Sequence, residues 1–207
     1  ELRVDYAACV CRLREALNAE GKPVVAALAP KTSAQQRGLL YEAHDYALLS
    51  KAANAVFLMT YEWGYTYGEP QAIAPLPQVR AVLDYALSVT AGENIFLGAP
   101  LYAYDWPLPY EKGRTRAETF SSQAAIMRAR LVGAEIEFDE TAQAPCYHYF
   151  DKMRREHVVW FEDARSLRAK IALAAEKGLQ GIGFWQAGRE LAQAWPLLDA
   201  LVTLETL

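Results

Sequence analysis

The residues of this sequence that could do chemistry on a ligand gather in three places. Tyr61, Glu62, Trp63, Tyr65 and Tyr67 follow one apolar run, Tyr102, Tyr104, Asp105, Trp106 and Tyr110 follow a second, and Trp185 with Gln186 closes a third. Flat aromatic faces beside carboxylates and amides suit sugars, because the C–H faces of a pyranose pack on rings while its hydroxyls need directed hydrogen bonds. Any one of these rings alone reads as packing, since tyrosine and tryptophan also plug barrel ends and helix–sheet seams. Their recurrence at three successive run ends favours a glycan cleft. Glu62, directly after an apolar run, either caps the next turn or reaches into that cleft, and the second reading is favoured.

Other chemistries lack their residues. There is no Gly-x-Ser-x-Gly elbow, no Gly-Lys-Ser phosphate loop and no His-Glu-x-x-His, and His44, His148 and His157 stand isolated. Gly178, Gly181 and Gly183 enter a strand instead of opening a helix, so they are no dinucleotide fingerprint. The acidic run Glu135 to Glu140 alternates polar and apolar residues, as a half-exposed antiparallel strand does. Cys9, Cys11 and Cys146 form neither a CxxC pair nor an even disulfide set, so free thiols, no metal and no cofactor are expected. Glycosidase chemistry generally needs a proton-donating acid and a second group that stabilises the cationic sugar. This chain shows no convincing pair.

The elements that must position these residues read as alternating helices and strands. Val24–Leu28, Ala55–Met59, Ile95–Ala99 and Gly181–Trp185 are continuous apolar runs without polar alternation, the pattern of parallel strands covered on both faces. Helical spacing appears at Tyr6, Val10, Leu13 and Leu17, at Val79 to Leu87, at Leu167 to Ala175, and at Leu191, Trp195, Leu198 and Leu201. Such alternation predicts parallel α/β units with right-handed crossovers, which an open doubly wound sheet and a barrel both satisfy. The stretch between Trp106 and Asp163 is far too long for a loop. A helix capped by Ser121 or Ser122 and three strands, Glu135–Phe138, Cys146–Phe150 and His157–Phe161, make it a small α+β insertion. The expected division is a main unit of residues 1–116 and 163–207 with the insertion at 117–162.

Composition narrows the partners. The 207 residues carry 21 Lys plus Arg against 25 Asp plus Glu, a net charge of −4, which offers no basic stripe for nucleic acid. With 53% hydrophobic and 12% aromatic residues the chain can build a real core. No apolar run reaches the roughly 18 residues of a membrane span, the longest candidate, Tyr46 to Tyr61, being broken by Ser50, Lys51 and Asn54. No membrane partner is expected. The start on charged residues without Met leads to the expectation of a longer parent protein.

With Met59-Thr60-Tyr61-Glu62-Trp63-Gly64, Gly98-Ala99-Pro100-Leu101-Tyr102 and Gly183-Phe184-Trp185 in this order, the sequence resembles glycoside hydrolase family 18. Leu28 to Ser33, Gly38 to Tyr46, Asp139 to Gln143 and Trp160 to Ala164 look like its spore-germination branch, the spore-cortex-lytic N-acetylglucosaminidases. The resemblance implies a TIM (β/α)8 barrel, of which this α/β chain would be the C-terminal half, strands five to eight, with the insertion after the seventh. It implies a retaining, substrate-assisted cleavage of an N-acetylglucosamine-containing glycan, either spore-cortex peptidoglycan or a chitin-like polymer. Tyr61 would hold the acetamido oxygen, and Glu62, where many chitinases carry Asp, would orient the acetamido group or a hydroxyl. Trp185 would form the sugar's floor, and Tyr102, Trp106 and Trp63 would line the cleft. The family's Asp-x-x-Asp-x-Asp-x-Glu run, which supplies the proton-donating Glu, is not in this sequence, and Glu1 reads as lying past the strand that would bear it. The chain alone is therefore expected to be inactive, and a noncatalytic glycan-binding or assembly module is the alternative. Open barrel edges would favour a homodimer, and the branch points to the spore or cell envelope.

Overall fold

A computed structural model describes residues 2–202, so Glu1 lies outside the described residues. In chain order come α1 (Leu2–Asn18), β1 (Val25–Leu28), α2 (Tyr46–Ala52), β2 (Ala55–Leu58), α3 (Leu76–Leu87) and β3 (Ile95–Pro100). A second group follows: β4 (Tyr102–Pro107), β5 (Glu118–Ser121), α4 (Ser122–Val132), β6 (Glu137–Asp139), β7 (Ala144–Phe150) and β8 (Glu156–Trp160). The chain ends with α5 (Ala164–Glu176), β9 (Gly181–Trp185) and α6 (Ala194–Leu201). The four apolar runs become one parallel sheet in the order β1-β2-β3-β9. The second sheet is antiparallel, in the order β5-β4-β8-β7-β6. No helix among the described residues is long and apolar enough to cross a membrane.

Local chemistry starts and stops these elements. Asp45 caps α2 by accepting from the Leu48 N–H, Ser121 caps α4 through Ala124, and Asp163 forms a reciprocal capping box with Ser166 on α5. Gly133 ends α4 at φ 67°, a left-handed cap that glycine adopts without a Cβ clash. Leu28, Leu58, Ile95 and Leu97 are fully buried under Leu49, Val79, Val82 and Leu83 of the helices, and this apolar contact is the main stabilising term of the first sheet. A smaller core of Ala103, Ala125, Tyr147, Val159 and Phe161 joins α4 to the second sheet.

The end helices depart from the expected pattern. On α1 only Ala7 and Val10 are buried, while Leu13 of the predicted stripe is 50% exposed; on α6, Trp195 is 65% exposed. α1 packs on α2 and α6 on α5, at the two ends of the β1-β2-β3-β9 order, and among the described residues no further strand pairs beyond β1 or β9. Strands β4 and β5 lie outside the strands expected from the sequence. One residue, Leu101, separates β4 from β3, so the aromatic run after the third apolar segment is itself a strand, and the second sheet begins ahead of the 117–162 segment.

Two packing features are sensitive to substitution. A Cβ on Gly98 would meet the Leu58 carbonyl oxygen and sit 2.8 Å from the Phe57 ring, and one on Gly183 would sit 2.5 Å from the same ring. Glu162 and Lys170, each fully buried, form an ion pair at 2.8 Å, and burial pushes the Glu162 carboxyl up. Gly98→Val is expected to destabilise the chain by about 1–3 kcal/mol through overpacking. Lys170→Met alone should cost about 3–5 kcal/mol by leaving a buried carboxylate unpaired, whereas Glu162→Leu with Lys170→Met should recover most of that loss. Urea unfolding of the three variants measures both.

Candidate functional site

The site forms where the parallel strands end. Beyond β2, Thr60 turns inward and its hydroxyl donates to the Gly98 carbonyl at 2.6 Å. Tyr61 follows, 8% exposed, and then Glu62 at φ 71°. A glutamate in the left-handed region is uncommon, and such strain persists where surrounding structure enforces it. Trp63 and Gly64 then pair their N–H groups with the carbonyls of Ile73 and Ala72, and the Gln71 amide donates to the Trp63 carbonyl at 3.0 Å. This short return holds Tyr61, Glu62 and Trp63 along one wall of a cleft of about 720 Å³, whose other wall is the segment after β1, including Pro30, Leu40 and Tyr41.

Glu62 is exposed on its cleft side and anchored on the other. The Tyr102 hydroxyl donates a short hydrogen bond to Oε1, and the Tyr104 hydroxyl lies 3.0 Å from Oε1 and 3.1 Å from Oε2. Both phenols come from β4, where residues two apart share a face. Their rings meet edge-on at 5.7 Å, and Tyr61 meets Tyr102 likewise at 6.4 Å. Burial, with the Glu62 charge adding to it, pushes the Tyr61 phenol up to about 12, and burial likewise raises Tyr102 and Tyr104. All three hydroxyls therefore stay protonated at neutral pH. Two of them donate to Glu62, leaving a carboxylate that accepts from a ligand and a Tyr61 phenol that can donate to one.

The sequence-predicted residues fall into three groups. Tyr61, Glu62 and Trp63 line the cleft together, and Tyr102 stands behind Glu62 as its anchor. Trp185, at the end of β9 and 54% exposed, does not line this cleft; β3 separates its strand from β2. Trp106 requires a correction. It is fully buried against Tyr104 and its indole N–H donates to the Gly68 carbonyl at 2.9 Å, so it packs the interior and offers no face to a ligand. Asp105 points to the opposite face of β4, where it accepts from Arg128, Tyr149 and His157 at 2.6–2.7 Å. Tyr104 is a contact to Glu62 that the sequence does not single out from the other rings; its i, i+2 spacing from Tyr102 is the signal, legible only once the segment is known to be a strand. Among the described residues no three His, Cys, Asp or Glu side chains converge as a metal site.

The raised phenol has a pH consequence of definite sign. Its folded value lies above the ordinary 10.0, so the stability contributed by protonated Tyr61 is complete below pH 10.0 and is lost as pH climbs through about 12. Melting temperature followed across that interval should fall, and Tyr61→Phe should fall less steeply.

The chain is similar to known proteins in sequence and in fold. Residues 3–190 match the description Glycosyl hydrolases family 18. The cortical fragment-lytic enzyme of Bacillus subtilis (strain 168) is 49% identical over 186 residues, covering 90% of this chain and 43% of that protein. The crystal structure of the Bacillus cereus spore cortex-lytic enzyme SleL is similar at a TM-score of 0.92 and 40% identity, over 97% of this chain and 46% of that one. A chitinase from Chromobacterium violaceum ATCC 12472, at 23% identity and a TM-score of 0.86 over 95% of this chain and 61% of its own, shares the fold. This chain thus spans less than half the length of the two Bacillus proteins. Matched through most of its own length, the chain belongs to glycosyl hydrolase family 18.

Proposed function

We propose that this chain is the C-terminal half of a glycosidase catalytic barrel that cleaves an N-acetylglucosamine-containing glycan, cortex peptidoglycan or a chitin-like polymer, with retention and substrate assistance. The observation that carries the reading is the meeting of Tyr61 and Glu62 in one cleft beyond the strand ends. In this scheme Tyr61 donates to the acetamido oxygen, and Glu62 accepts from the acetamido N–H or a neighbouring hydroxyl. The acetamido oxygen attacks C1 as the glycosidic C–O bond breaks, and the departing oxygen takes the bond's electron pair. A glutamic acid outside this chain protonates that oxygen, leaving an oxazolinium ion; water then attacks C1 from the face the leaving group vacated, breaking the bond from C1 to the acetamido oxygen and giving its proton back to that glutamate. The two hydrogen bonds from β4 hold the Glu62 carboxylate where the amide must lie, so little reorganisation remains for the reaction. Trp185 lies outside the lining of this cleft, and it is proposed as the sugar's floor only for a sugar that reaches past β3 to its exposed indole.

The four parallel strands are assigned to barrel strands five to eight and the second sheet to the insertion after the seventh. Support comes from the exposed outer strands and the uncovered faces of α1 and α6. Open edges of this kind template association, so a homodimer through β1 and β9 is proposed as well.

Calorimetric titration with N-acetylglucosamine oligomers and glucose oligomers tests the site. The acetylated series should bind at least about tenfold more tightly, and Glu62→Ala and Tyr61→Phe should each erase about tenfold of that preference. Equal affinity for both series removes the acetamido reading. Binding with no hydrolysis by any longer form of the protein would favour the noncatalytic module, and hydrolysis by residues 1–207 alone would overturn the assignment of the acid. Sedimentation showing only monomer at tens of micromolar chain would dispose of the dimer.

A further inference from the structure

The segment between β1 and α2 has no helix or strand, yet its main chain is fixed at several points. The Ala29 N–H donates to His44 Nδ1 at 2.8 Å, and the Lys31 N–H donates to the Tyr46 hydroxyl at 2.8 Å, which donates in turn to the Ala29 carbonyl at 2.6 Å. Lys31 itself is 2% exposed, and its ammonium donates to the carbonyls of Tyr41 at 3.1 Å and His44 at 3.0 Å. An ammonium is costly to bury unless its protons are taken up, and here both hydrogen bonds go to loop carbonyls. Aliphatic side chains would fill the same space without that penalty, so the polar clamp is informative about what it holds.

What it holds is the far wall of the cleft. Tyr41, whose carbonyl Lys31 grips, lines the cavity together with Leu40 and Pro30, across from Tyr61 and Glu62. Leu40 is 67% exposed there and Leu39 beside it is fully exposed. Thr32, Ser33 and Gln36 supply polar groups on the same wall. An apolar surface bordered by hydroxyls and an amide matches the C–H face and hydroxyl rim of a pyranose. The cavity of about 720 Å³ falls in the range that takes drug-sized ligands, with room beyond a single sugar ring.

Resting on the functional reading above, we propose that Lys31 is a positioning residue: by clamping the main chain at Tyr41 and His44 it holds Pro30, Leu40 and Tyr41 as a rigid second wall, against which the next sugar of the same glycan packs. A loop fixed before the ligand arrives loses less entropy on binding, so the clamp converts weak apolar contact into affinity for longer chains. Lys31 touches no substrate in this scheme; it acts through the loop.

The test is calorimetric titration of this chain with N-acetylglucosamine and with its dimer and trimer. Wild type should gain about tenfold or more in affinity from the monosaccharide to the trimer. Lys31→Met should keep the monosaccharide affinity within about twofold, lose most of that gain, and show at least about tenfold faster amide exchange across residues 38–45 with β1 to β3 unchanged. A loss shared equally by all three ligands, or an undiminished gain, overturns the proposal. Leu40→Asn provides the second variant, because an exposed side chain can change without threatening the fold, and it should cut the same gain. If it leaves the gain whole, the wall is not a sugar contact. Wild-type binding of monosaccharide and trimer with equal affinity sinks the loop inference alone, whereas failure to bind any of the three sinks the functional reading on which it rests.

Discussion

Two hydrogen bonds from phenols to one carboxylate join the halves of this structure. Glu62 belongs to the end of the parallel sheet, and Tyr102 and Tyr104 belong to the first strand of the antiparallel one. The acid therefore does not hang from a loop free to choose a rotamer. Where its carboxylate is held depends on how the two sheets meet, and that junction is made by the chain itself, since Leu101 alone lies between β3 and β4 and its N–H donates to the Trp185 carbonyl at 2.9 Å. Hydrogen bonds to an ionised acceptor are stronger than neutral ones, and desolvation of the donors strengthens them further. The cleft consequently presents an acceptor in a fixed place.

Buried charge elsewhere in the molecule follows a similar logic. Lys31 fastens a loop, Lys170 from the middle of α5 meets Glu162 just ahead of that helix, and Asp105 gathers Arg128, Tyr149 and His157 on the far face of β4. Each group is enclosed with partners, as a low-dielectric interior demands. Glu62 differs because only one side of its carboxylate is enclosed. That asymmetry, more than any single distance, separates the carboxylate proposed to meet a ligand from the groups that hold the fold.

The parallel sheet was legible in the sequence because strands covered on both faces leave uninterrupted apolar runs, and four such runs became four strands. The insertion's later strands were legible from alternation, with ends shifted by a residue or two. What escaped was β4. Tyr102 to Pro107 is aromatic on one face and carries Ala103 and Asp105 on the other, and a strand with both faces buried, one of them by a salt-bridged acid, mimics a ligand-binding loop in one dimension. The misreading of Trp106 follows from it, since the ring shares a face with Tyr104 but lies one step deeper. That Tyr61 and Glu62 lie beyond a strand end was legible because they directly follow an apolar run, and the roles proposed for them come from the resemblance. Lys31 was invisible as a clamp, because nothing in one dimension shows a buried ammonium reaching carbonyls ten and thirteen residues away.

The single-residue passage at Leu101 also constrains how this site can change over generations. With no slack between β3 and β4, the phenols cannot be moved toward or away from position 62 by lengthening a loop. Only side-chain length can adjust the gap. An aspartate at 62 would fall a methylene short of two donors already in place, and phenylalanines at 102 and 104 would strand a glutamate without them. The longer acid and its paired phenols thus fit one another as a set, and exchanging any one of them alone leaves a poorly matched arrangement.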